Sequence, residues 1–102
     1  MSAYMILQIE WTSKEAREAY IKGLADMVQR RGGRFLVASS EAKVTEGQWP
    51  PGRTVVVEFP TMKALTEWYG SEEYRPVLEL RLKGSRSAAV MVDGVSAGPP
   101  PA

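Results

Sequence analysis

The sequence predicts an α+β fold of the ferredoxin-like βαββαβ type, in which a four-stranded antiparallel sheet carries two helices on one face. Three observations support this prediction. Four segments are rich in β-branched and aromatic residues, and two segments carry apolar residues at helical spacing. These segments alternate in the order β-α-β-β-α-β. The chain has 102 residues, which is enough for one core but not for a second domain.

The first strand and the first helix follow one another at the start of the chain. Tyr4–Trp11 is β-rich and has polar residues at alternate positions towards its end. Thr12 and Glu15 fit the capping box, in which a hydroxyl at the cap precedes a carboxylate by three residues. One apolar stripe then predicts a helix over Ser13–Arg31. The glycine pair that follows ends this helix, because glycine tolerates the left-handed conformation.

The middle of the chain predicts two strands separated by a loop. Arg34–Ser40 is the second strand, and its continuation through Lys43–Glu46 is left open. Gly47–Gly52 is dense in turn residues and predicts a loop. Thr54–Phe59 is the clearest strand, because it contains three consecutive valines.

The second helical region is predicted to be interrupted. Thr61 is the expected N-cap, and Met62–Tyr69 carries an apolar face. The glycine and serine that follow break the pattern. Ser71 can cap a second helical piece that ends at Gly84, with Pro76 near its first turn.

The end of the chain predicts the fourth strand and a tail. Arg86–Asp93 is β-rich, whereas residues 96–102 are polar and rich in proline. We expect this tail to be disordered. The predicted organisation is a single domain over residues 1–95, followed by a disordered tail over 96–102.

Strand alternation divides the sheet residues between two faces. The helix-free face is expected to carry apolar residues among a few polar groups, and such a patch exceeds what a monomer normally exposes. The simplest cover is a second copy related by a two-fold axis, so a homodimer is predicted, with the chain's own tail as the alternative cover. We expect the helices to cover Met5, Leu7, Ile9, Trp11, Val55, Val57, Phe59, Val90 and Val92, and the helix-free face to carry Tyr4, Ile6, Leu36, Val56 and Met91.

Composition excludes several classes of chemistry. Cysteine and histidine are both absent, which removes thiolate nucleophiles, imidazole bases and the commonest metal ligands. We therefore expect no metal and no cofactor. Thirteen basic and twelve acidic residues give a net charge of +1, without the clustered basic excess that nucleic acid or an anionic membrane requires. No targeting segment is visible, so we expect a cytoplasmic protein.

Five parts of the sequence form a combined pattern that covers nearly the whole chain. They are Gly32–Val37, Glu46–Pro50, Arg53–Thr61, Trp68–Pro76 and Arg81. This pattern resembles the domain of unknown function 1330 family, a branch of the dimeric α/β-barrel superfamily. The resemblance implies a ferredoxin-like protomer and a homodimer. The superfamily includes cofactor-independent monooxygenases, lactone isomerases and haem-handling proteins, but the family has no settled activity to carry over.

This sequence departs from the common pattern of that family at two places. Many relatives have a histidine just before the glycine pair, where this chain has Arg30 and Arg31. Many have an arginine–glycine pair after the second strand, where this chain has Ala38–Ser40. A mechanism that requires the imidazole therefore does not transfer to this chain.

Polar residues on the helix-free face are the first candidates for a site. Alternation places Gln8, Glu10, Arg34 and Glu58 there, and a charge enclosed on that face must be paired, protonated or open to a wet cavity. In one interpretation, Glu58 or Glu10 is a catalytic acid or base, and Arg34 and Gln8 bind the ligand. In the other, a structural Glu–Arg pair fixes the register of the dimer, or the strand ends that carry these charges reach solvent.

Aromatic and arginine side chains are the second set of candidates. Trp49, Tyr69 and Tyr74 could line a pocket for a flat or aromatic ligand, or could serve as core and loop anchors. Arg53 and Arg81 could bind an anionic ligand, or could link a loop and a helix to carboxylates.

Two functional hypotheses follow from these candidates, and a third, haem or metal handling, would require tyrosine or carboxylate ligands because histidine and cysteine are absent. The first is a small homodimeric α/β-barrel protein that binds a carboxylated or aromatic metabolite and catalyses a cofactor-independent proton transfer or oxygenation. The alternative is a non-enzymatic structural or binding dimer with no catalytic site. The volume of the interior discriminates between them, because a chamber of ~300 Å³ or more favours a ligand and a filled interior favours the alternative.

Overall fold

The computed structural model describes residues 1–95, and its strands and helices occur in the predicted order. The elements are β1 (Ala3–Trp11), α1 (Lys14–Arg30), β2 (Arg34–Ser39), β3 (Arg53–Phe59), α2 (Met62–Tyr69), α3 (Arg75–Gly84) and β4 (Ser85–Asp93). The predicted tail over residues 96–102 lies outside the described residues. No helix within residues 1–95 has the length and hydropathy needed to span a membrane.

The four strands form one antiparallel sheet in the order β2-β3-β1-β4. The helices pack on one face of this sheet, where β1 contributes every second residue from Ala3 to Ile9 to the core. α1 packs against α3, and α2 lies over β1 and β3. The predicted ferredoxin-like fold is therefore confirmed.

The start of α1 differs from the prediction by one residue. The N-cap is Ser13 and not Thr12, because the Ser13 hydroxyl accepts a hydrogen bond from the amide of Ala16 at 3.1 Å. The amides of Thr12 and Ser13 both donate to the carbonyl of Gly84, at 2.8 and 3.1 Å. This pairing holds Thr12 outside the helix and against the end of α3. Thr61 caps α2 as predicted.

The second helical region is interrupted as predicted, at Gly70. The Ser71 hydroxyl accepts a hydrogen bond from the amide of Tyr74 at 3.2 Å, and the Ser71 carbonyl accepts one from the amide of Arg75. The chain therefore makes one turn before α3 begins, with Pro76 in its first turn. The second helix of the βαββαβ plan consists of two shorter helices.

The orientation of β4 is opposite to the prediction. Met91 lies opposite Met5 and packs against the core, whereas Val90 and Val92 are 55% and 41% exposed. Over Ala88–Val92 both alternating sets of this strand are apolar, so hydrophobicity alone does not choose between them. The register with β1 makes the choice, because a shift of one residue would turn every side chain over. The correction adds two valines to the helix-free face and removes Met91 from it.

The β2–β3 loop spans residues 40–52 and returns close to β1. β2 ends at Ser39 without continuing into this loop, and a shift in its pairing marks a β-bulge around Leu36. Gly52 has a φ of +117°, and a Cβ at this position would collide with the backbone of Ile9. Glycine is therefore required where the loop rejoins the sheet.

Candidate functional site

The helix-free face carries an apolar strip that crosses all four strands. Val37 lies opposite Val56 on the neighbouring strand, and Val56 lies opposite Ile6. Ile6 lies opposite Val90 on the far edge strand. Val37 and Val90 are 40% and 55% exposed, and the helices of residues 1–95 all lie on the other face. A strip of this kind is typical of a surface that a partner covers.

The predicted catalytic residue Glu58 forms an ion pair beside this apolar strip. Nε of Arg34 donates to Oε1 of Glu58 at 2.6 Å, and the Glu58 side chain is 16% exposed. The hydrogen bond from Arg34, followed by one from Tyr4, lowers the pKa of Glu58. A carboxylate with a lowered pKa is a weaker proton acceptor. The geometry therefore favours a pairing role for Glu58.

The other predicted catalytic residue, Glu10, lies near the opposite end of β1. Its Oε1 is 3.5 Å from Nη1 of Arg86. The residue of β1 that lies opposite Glu58 is Tyr4, six positions from Glu10. Six strand residues span about 20 Å. The two carboxylates therefore do not share a site.

Gln8 lies between these two ion pairs and holds the β2–β3 loop. It is only 6% exposed. Its Nε2 donates to the carbonyls of Pro50 and Gly52 at 2.9 and 3.3 Å, and its Oε1 accepts a hydrogen bond from the Thr54 hydroxyl at 2.6 Å. Both amide hydrogens are thus used by protein groups, so the side chain has no donor left for a ligand.

The loop that Gln8 holds brings Trp49 over the apolar strip. Trp49 is 50% exposed and lies near Ile6 and Val90. It also lines a broad, open cleft of about 520 Å³ between the loop and the neighbouring strands, together with Val37 and Thr54. This cleft continues the exposed apolar surface of the helix-free face.

A more enclosed cavity of about 200 Å³ lies on the helix side of the sheet, under α1. Its inner wall is buried and includes Leu7, Leu24, Val57 and Trp68, whereas its mouth is formed by more exposed residues, namely Ile21, Ala25, Ala38 and Arg53. Its volume is below the ~300 Å³ that was expected to favour a ligand, so by size alone it does not discriminate against the non-enzymatic alternative. A cavity of ~150 Å³ can hold benzene, so this one has room for a molecule of about one ring.

Tyr20 connects this cavity to a buried polar cluster. Tyr20 lines the cavity, and its hydroxyl oxygen lies 3.0 Å from that of Tyr74. Arg81, which is 2% exposed, donates from Nη1 to Oγ of Ser87 at 2.7 Å. None of the ion pairs within residues 1–95 includes Arg81, so its charge is buried without a carboxylate. Burying a charge in this way costs several kcal/mol unless polar groups compensate.

The surroundings of this cluster shift the pKa values of Tyr20 and Arg81. Burial, assisted by Tyr74, raises the pKa of Tyr20 far above its ordinary value, and Arg81 acts in the opposite direction. Burial also disfavours the charged form of Arg81, but Tyr20 and Tyr74 together outweigh it, so the pKa of Arg81 is raised. At neutral pH the cluster therefore combines a neutral Tyr20 hydroxyl with a charged guanidinium.

Two buried nitrogens of this cluster lack hydrogen-bond partners. Within residues 1–95 they are Trp68 Nε1 and Arg81 Nε. The ring of Trp68 lies 4.3 Å from that of Tyr74, and the ring of Tyr69 lies 5.6 Å from that of Tyr74, measured between centroids. Buried polar atoms are nearly always paired. Both exceptions fall in one cluster beside a cavity, which marks this region as the best candidate for a functional site.

The structure separates the predicted site residues into two groups. The helix-free face carries Gln8, Glu10, Arg34, Trp49 and Glu58. The helix side carries Arg53 at the mouth of the cavity and Tyr69, Tyr74 and Arg81 in the cluster. Sequence reasoning did not single out Tyr20 and Ser87. The only signal for Tyr20 is a hydroxyl within the apolar stripe of α1, and Ser87 has none.

The fold and the cavity define a ferredoxin-like α+β domain with a partly enclosed apolar pocket on the helix side. The sequence matches the family described as a domain of unknown function (DUF1330) over residues 2–95. The chain therefore belongs to this family. No functionally curated protein matches the sequence significantly.

Similar solved structures share the fold at low sequence identity. The RPA0582 protein of unknown function from Rhodopseudomonas palustris has a TM-score of 0.74 and 16% identity, covering 93% of this chain and 83% of that one. A dimeric ferredoxin-like protein of unknown function from Jannaschia sp. CCS1 has a TM-score of 0.67 and 13% identity, with coverages of 92% and 100%. SnoaB, a cofactor-independent oxygenase from Streptomyces nogalater, has a TM-score of 0.65 and 11% identity, with coverages of 97% and 98%. At these identities the similarity extends to the fold alone.

Proposed function

We propose that this chain is a homodimeric α/β-barrel protein that binds a small aromatic or carboxylated molecule on the helix side of its sheet. The single observation that supports binding most directly is the enclosed cavity of about 200 Å³, which adjoins a buried cluster with two unpaired nitrogens. The apolar strip on the opposite face supports the dimer. In this proposal the two faces have separate roles, one for assembly and one for the ligand.

The dimer forms by packing the helix-free faces of two protomers against each other. The similar structure from Jannaschia sp. CCS1 is described as dimeric and ferredoxin-like, which supports this arrangement by analogy. Trp49 and the apolar strip supply the apolar contacts. The Arg34–Glu58 and Glu10–Arg86 pairs lie on the same face, where they fix the register of the two sheets.

A pair of matched surface variants tests the dimer. Val90 on the apolar strip and Leu82 on α3 are almost equally exposed, at 55% and 56%. We expect Val90→Lys to give a monomer in analytical ultracentrifugation, because it places a charge in an apolar interface. Leu82→Lys should leave the dimer intact. A wild-type monomer at micromolar concentration, or a Val90→Lys variant that dimerises normally, would contradict the arrangement.

The proposed chemistry is cofactor-independent. Tyr20 lines the cavity, and its neutral hydroxyl contacts the Tyr74 hydroxyl beside the charged Arg81. A hydroxyl in such a setting can donate a hydrogen bond to a ligand oxygen on which negative charge develops. SnoaB, which has a similar fold, is described as a cofactor-independent oxygenase, and this adds support at the level of reaction class.

Ligand binding is tested with single-ring probes and a variant that closes the mouth. Phenol and benzoate should shift the NMR resonances of cavity residues and raise the melting temperature of the wild type. Ala25→Trp should abolish both effects, because residue 25 lies at the mouth. Glu18→Trp, on an exposed part of the same helix, is the control and should retain them. Probes that do not bind the wild type, or that bind Ala25→Trp equally well, would refute the site.

The role of Tyr20 is tested by comparing phenol with toluene. Both rings have similar size, but only phenol carries a hydroxyl. Tyr20→Phe should weaken phenol binding several-fold and leave toluene binding unchanged, because a hydrogen bond contributes about 0.5–1.5 kcal/mol. Equal losses for both probes would indicate a change in cavity shape instead.

A second candidate function is a non-enzymatic dimer without a catalytic site. The saturated polar groups of the helix-free face favour it, since Gln8 has both amide hydrogens bonded and Glu58 is paired with Arg34. Nothing on that face then requires a substrate. The probe experiment separates the two candidates, because this one predicts a dimer that binds none of the single-ring compounds.

A further inference from the structure

A second arginine without a carboxylate partner stands at the mouth of the helix-side cavity. Arg53 lies opposite Ile9 on the helix side of the sheet and forms part of the cavity lining. Its Nη1 donates to Oγ of Ser40 and its Nη2 to the carbonyl of Ala38, each at 3.1 Å. Both acceptors are neutral, and none of the ion pairs within residues 1–95 includes Arg53.

These two hydrogen bonds orient the guanidinium without neutralising it. A guanidinium has five N–H donors, so Arg53 keeps about three for another group. The fixed planar group matches the two oxygens of a carboxylate, and such charge-assisted pairs are stronger than neutral hydrogen bonds. Arg53 is only partly exposed, so solvent screens its charge less than that of a free surface arginine.

The cavity therefore has a defined polarity along its length. Arg53 brings a positive charge to the mouth, and the walls are almost entirely apolar, with the buried Tyr20 among the lining residues. We propose that the natural ligand is a single-ring carboxylic acid, bound with its carboxylate on Arg53 at the mouth and its ring directed towards Tyr20. This inference rests on the proposed function and adds the class and the orientation of the ligand.

Arg81 is the alternative partner for the carboxylate, but its position is less suitable. It is 2% exposed and does not line the cavity, whereas Tyr20 does. A carboxylate on Arg81 would have to lose its hydration completely and displace the tyrosine, which costs several kcal/mol. At the mouth, by contrast, a carboxylate keeps part of its hydration while its ring enters the cavity.

The test compares benzoate with benzamide, which has nearly the same shape but no charge. We expect the wild type to bind benzoate at least about tenfold more tightly in NMR titrations. Arg53→Gln should reduce this ratio to about one, and Arg53→Lys should retain part of it, because lysine keeps the charge and loses the planar group. Arg75→Gln, an exposed arginine at the start of α3, is the matched control and should keep the full preference.

Each outcome bears on either the inference or the proposed function. Equal binding of benzoate and benzamide by the wild type would overturn the inference while the cavity remains a binding site. A preference that survives in Arg53→Gln but is lost in Arg81→Met would also overturn it, because the carboxylate would then lie at the inner cluster. Binding of neither probe would refute the proposed function itself and the inference with it.

Discussion

Replacing Arg81 by methionine should leave the protein as stable as the wild type or make it more stable. Arg81 is 2% exposed and has no carboxylate partner within residues 1–95. Its Nε also lacks a hydrogen-bond partner. A residue of this kind contributes little to folding unless its neighbours compensate its desolvation. Methionine has a similar length and would fill the same space without a charge.

The expected change is the balance of favourable and unfavourable contributions. The substitution removes the hydrogen bond to Ser87, a loss of about 1.5–3 kcal/mol for a bond from a charged group. It also removes a desolvation penalty of several kcal/mol, together with the interactions with Tyr20 and Tyr74 that offset this penalty, and it buries additional apolar surface. Exchanges of buried charged groups for apolar residues of similar volume are often neutral or stabilising by about 1–4 kcal/mol. We therefore expect Arg81→Met to gain between 0 and about 3 kcal/mol.

Urea unfolding, followed by tryptophan fluorescence, measures this change. Wild type and variants must be compared at the same protein concentration, because dimerisation contributes to the apparent stability. Arg81→Ala is the control for packing, and it should lose about 2–5 kcal/mol because it leaves a cavity. If Arg81→Met instead lost more than ~2 kcal/mol with an unchanged m-value, the guanidinium would be a net stabilising element and the reasoning would be refuted.

Three further predictions concern packing and pH. Gly84→Ala should lower the free energy of unfolding in urea by about 1–3 kcal/mol, because the added Cβ would overlap that of Ala16. Gly23→Ala has room beside α3 and should raise the free energy of unfolding by about 0.5–1 kcal/mol. Burial raises the pKa of Tyr20, so the folded protein keeps this proton at a pH where the unfolded chain loses it, and the free energy of unfolding should fall as the pH rises above ~10. Tyr20→Phe should reduce that decline when unfolding is measured as a function of pH. An unchanged decline would contradict the burial of this hydroxyl. The hydrogen bond from Arg34 is the main cause of the lowered pKa of Glu58. This pair should therefore stabilise the protein above the pKa of the unfolded carboxyl and lose its effect as the pH falls through the lowered value. Glu58→Gln should reduce the loss of stability at acid pH in the same unfolding measurements, and an unaltered loss would argue against the pair.

The order of the elements could be predicted from the sequence because each element carries its own local signal. Consecutive valines mark β3, Thr61 marks the start of α2, and Gly70 marks the interruption before α3. The predicted capping residue of α1, Thr12, was wrong, because Thr12 and Ser13 both carry hydroxyls and the local sequence does not choose between them. The choice depends on the contact of both amides with the carbonyl of Gly84, which is a tertiary interaction.

The faces of the strands could be predicted only where one alternating set is more polar than the other. In β1 this difference places Gln8 and Glu10 on the helix-free face, as the structure shows. In β4 both sets are apolar, and the prediction for Val90 and Met91 was wrong. Alternation also says nothing about distance along a strand. It therefore placed Glu10 and Glu58 on one face but did not predict that about 20 Å separates them.

The candidate site could be predicted only in part because its members meet through packing. Tyr20 and Tyr74 are 54 residues apart in sequence, and their hydroxyls touch only once α1 has packed against α3. Tyr74 and Arg81 were recognised as candidates, but their common location was not. Tyr20 looks like an ordinary member of an apolar stripe, because a hydroxyl adds little to the helical pattern.

The contrast between the two faces explains why the helix side is the better candidate for ligand binding. On the helix-free face the side chains that sequence analysis singled out have partners within the chain: Gln8 holds a loop, and Glu58 and Glu10 each pair with an arginine. On the helix side, two arginines have no carboxylate, and two buried nitrogens have no acceptor. A fold that needed those groups only for stability would pair them, because an unpaired buried polar atom costs about 1–3 kcal/mol. A ligand in the cavity would reach Arg53 and Trp68, which line it, and not Arg81, which does not, so the proposed ligand accounts for the charge at the mouth and not for the buried guanidinium.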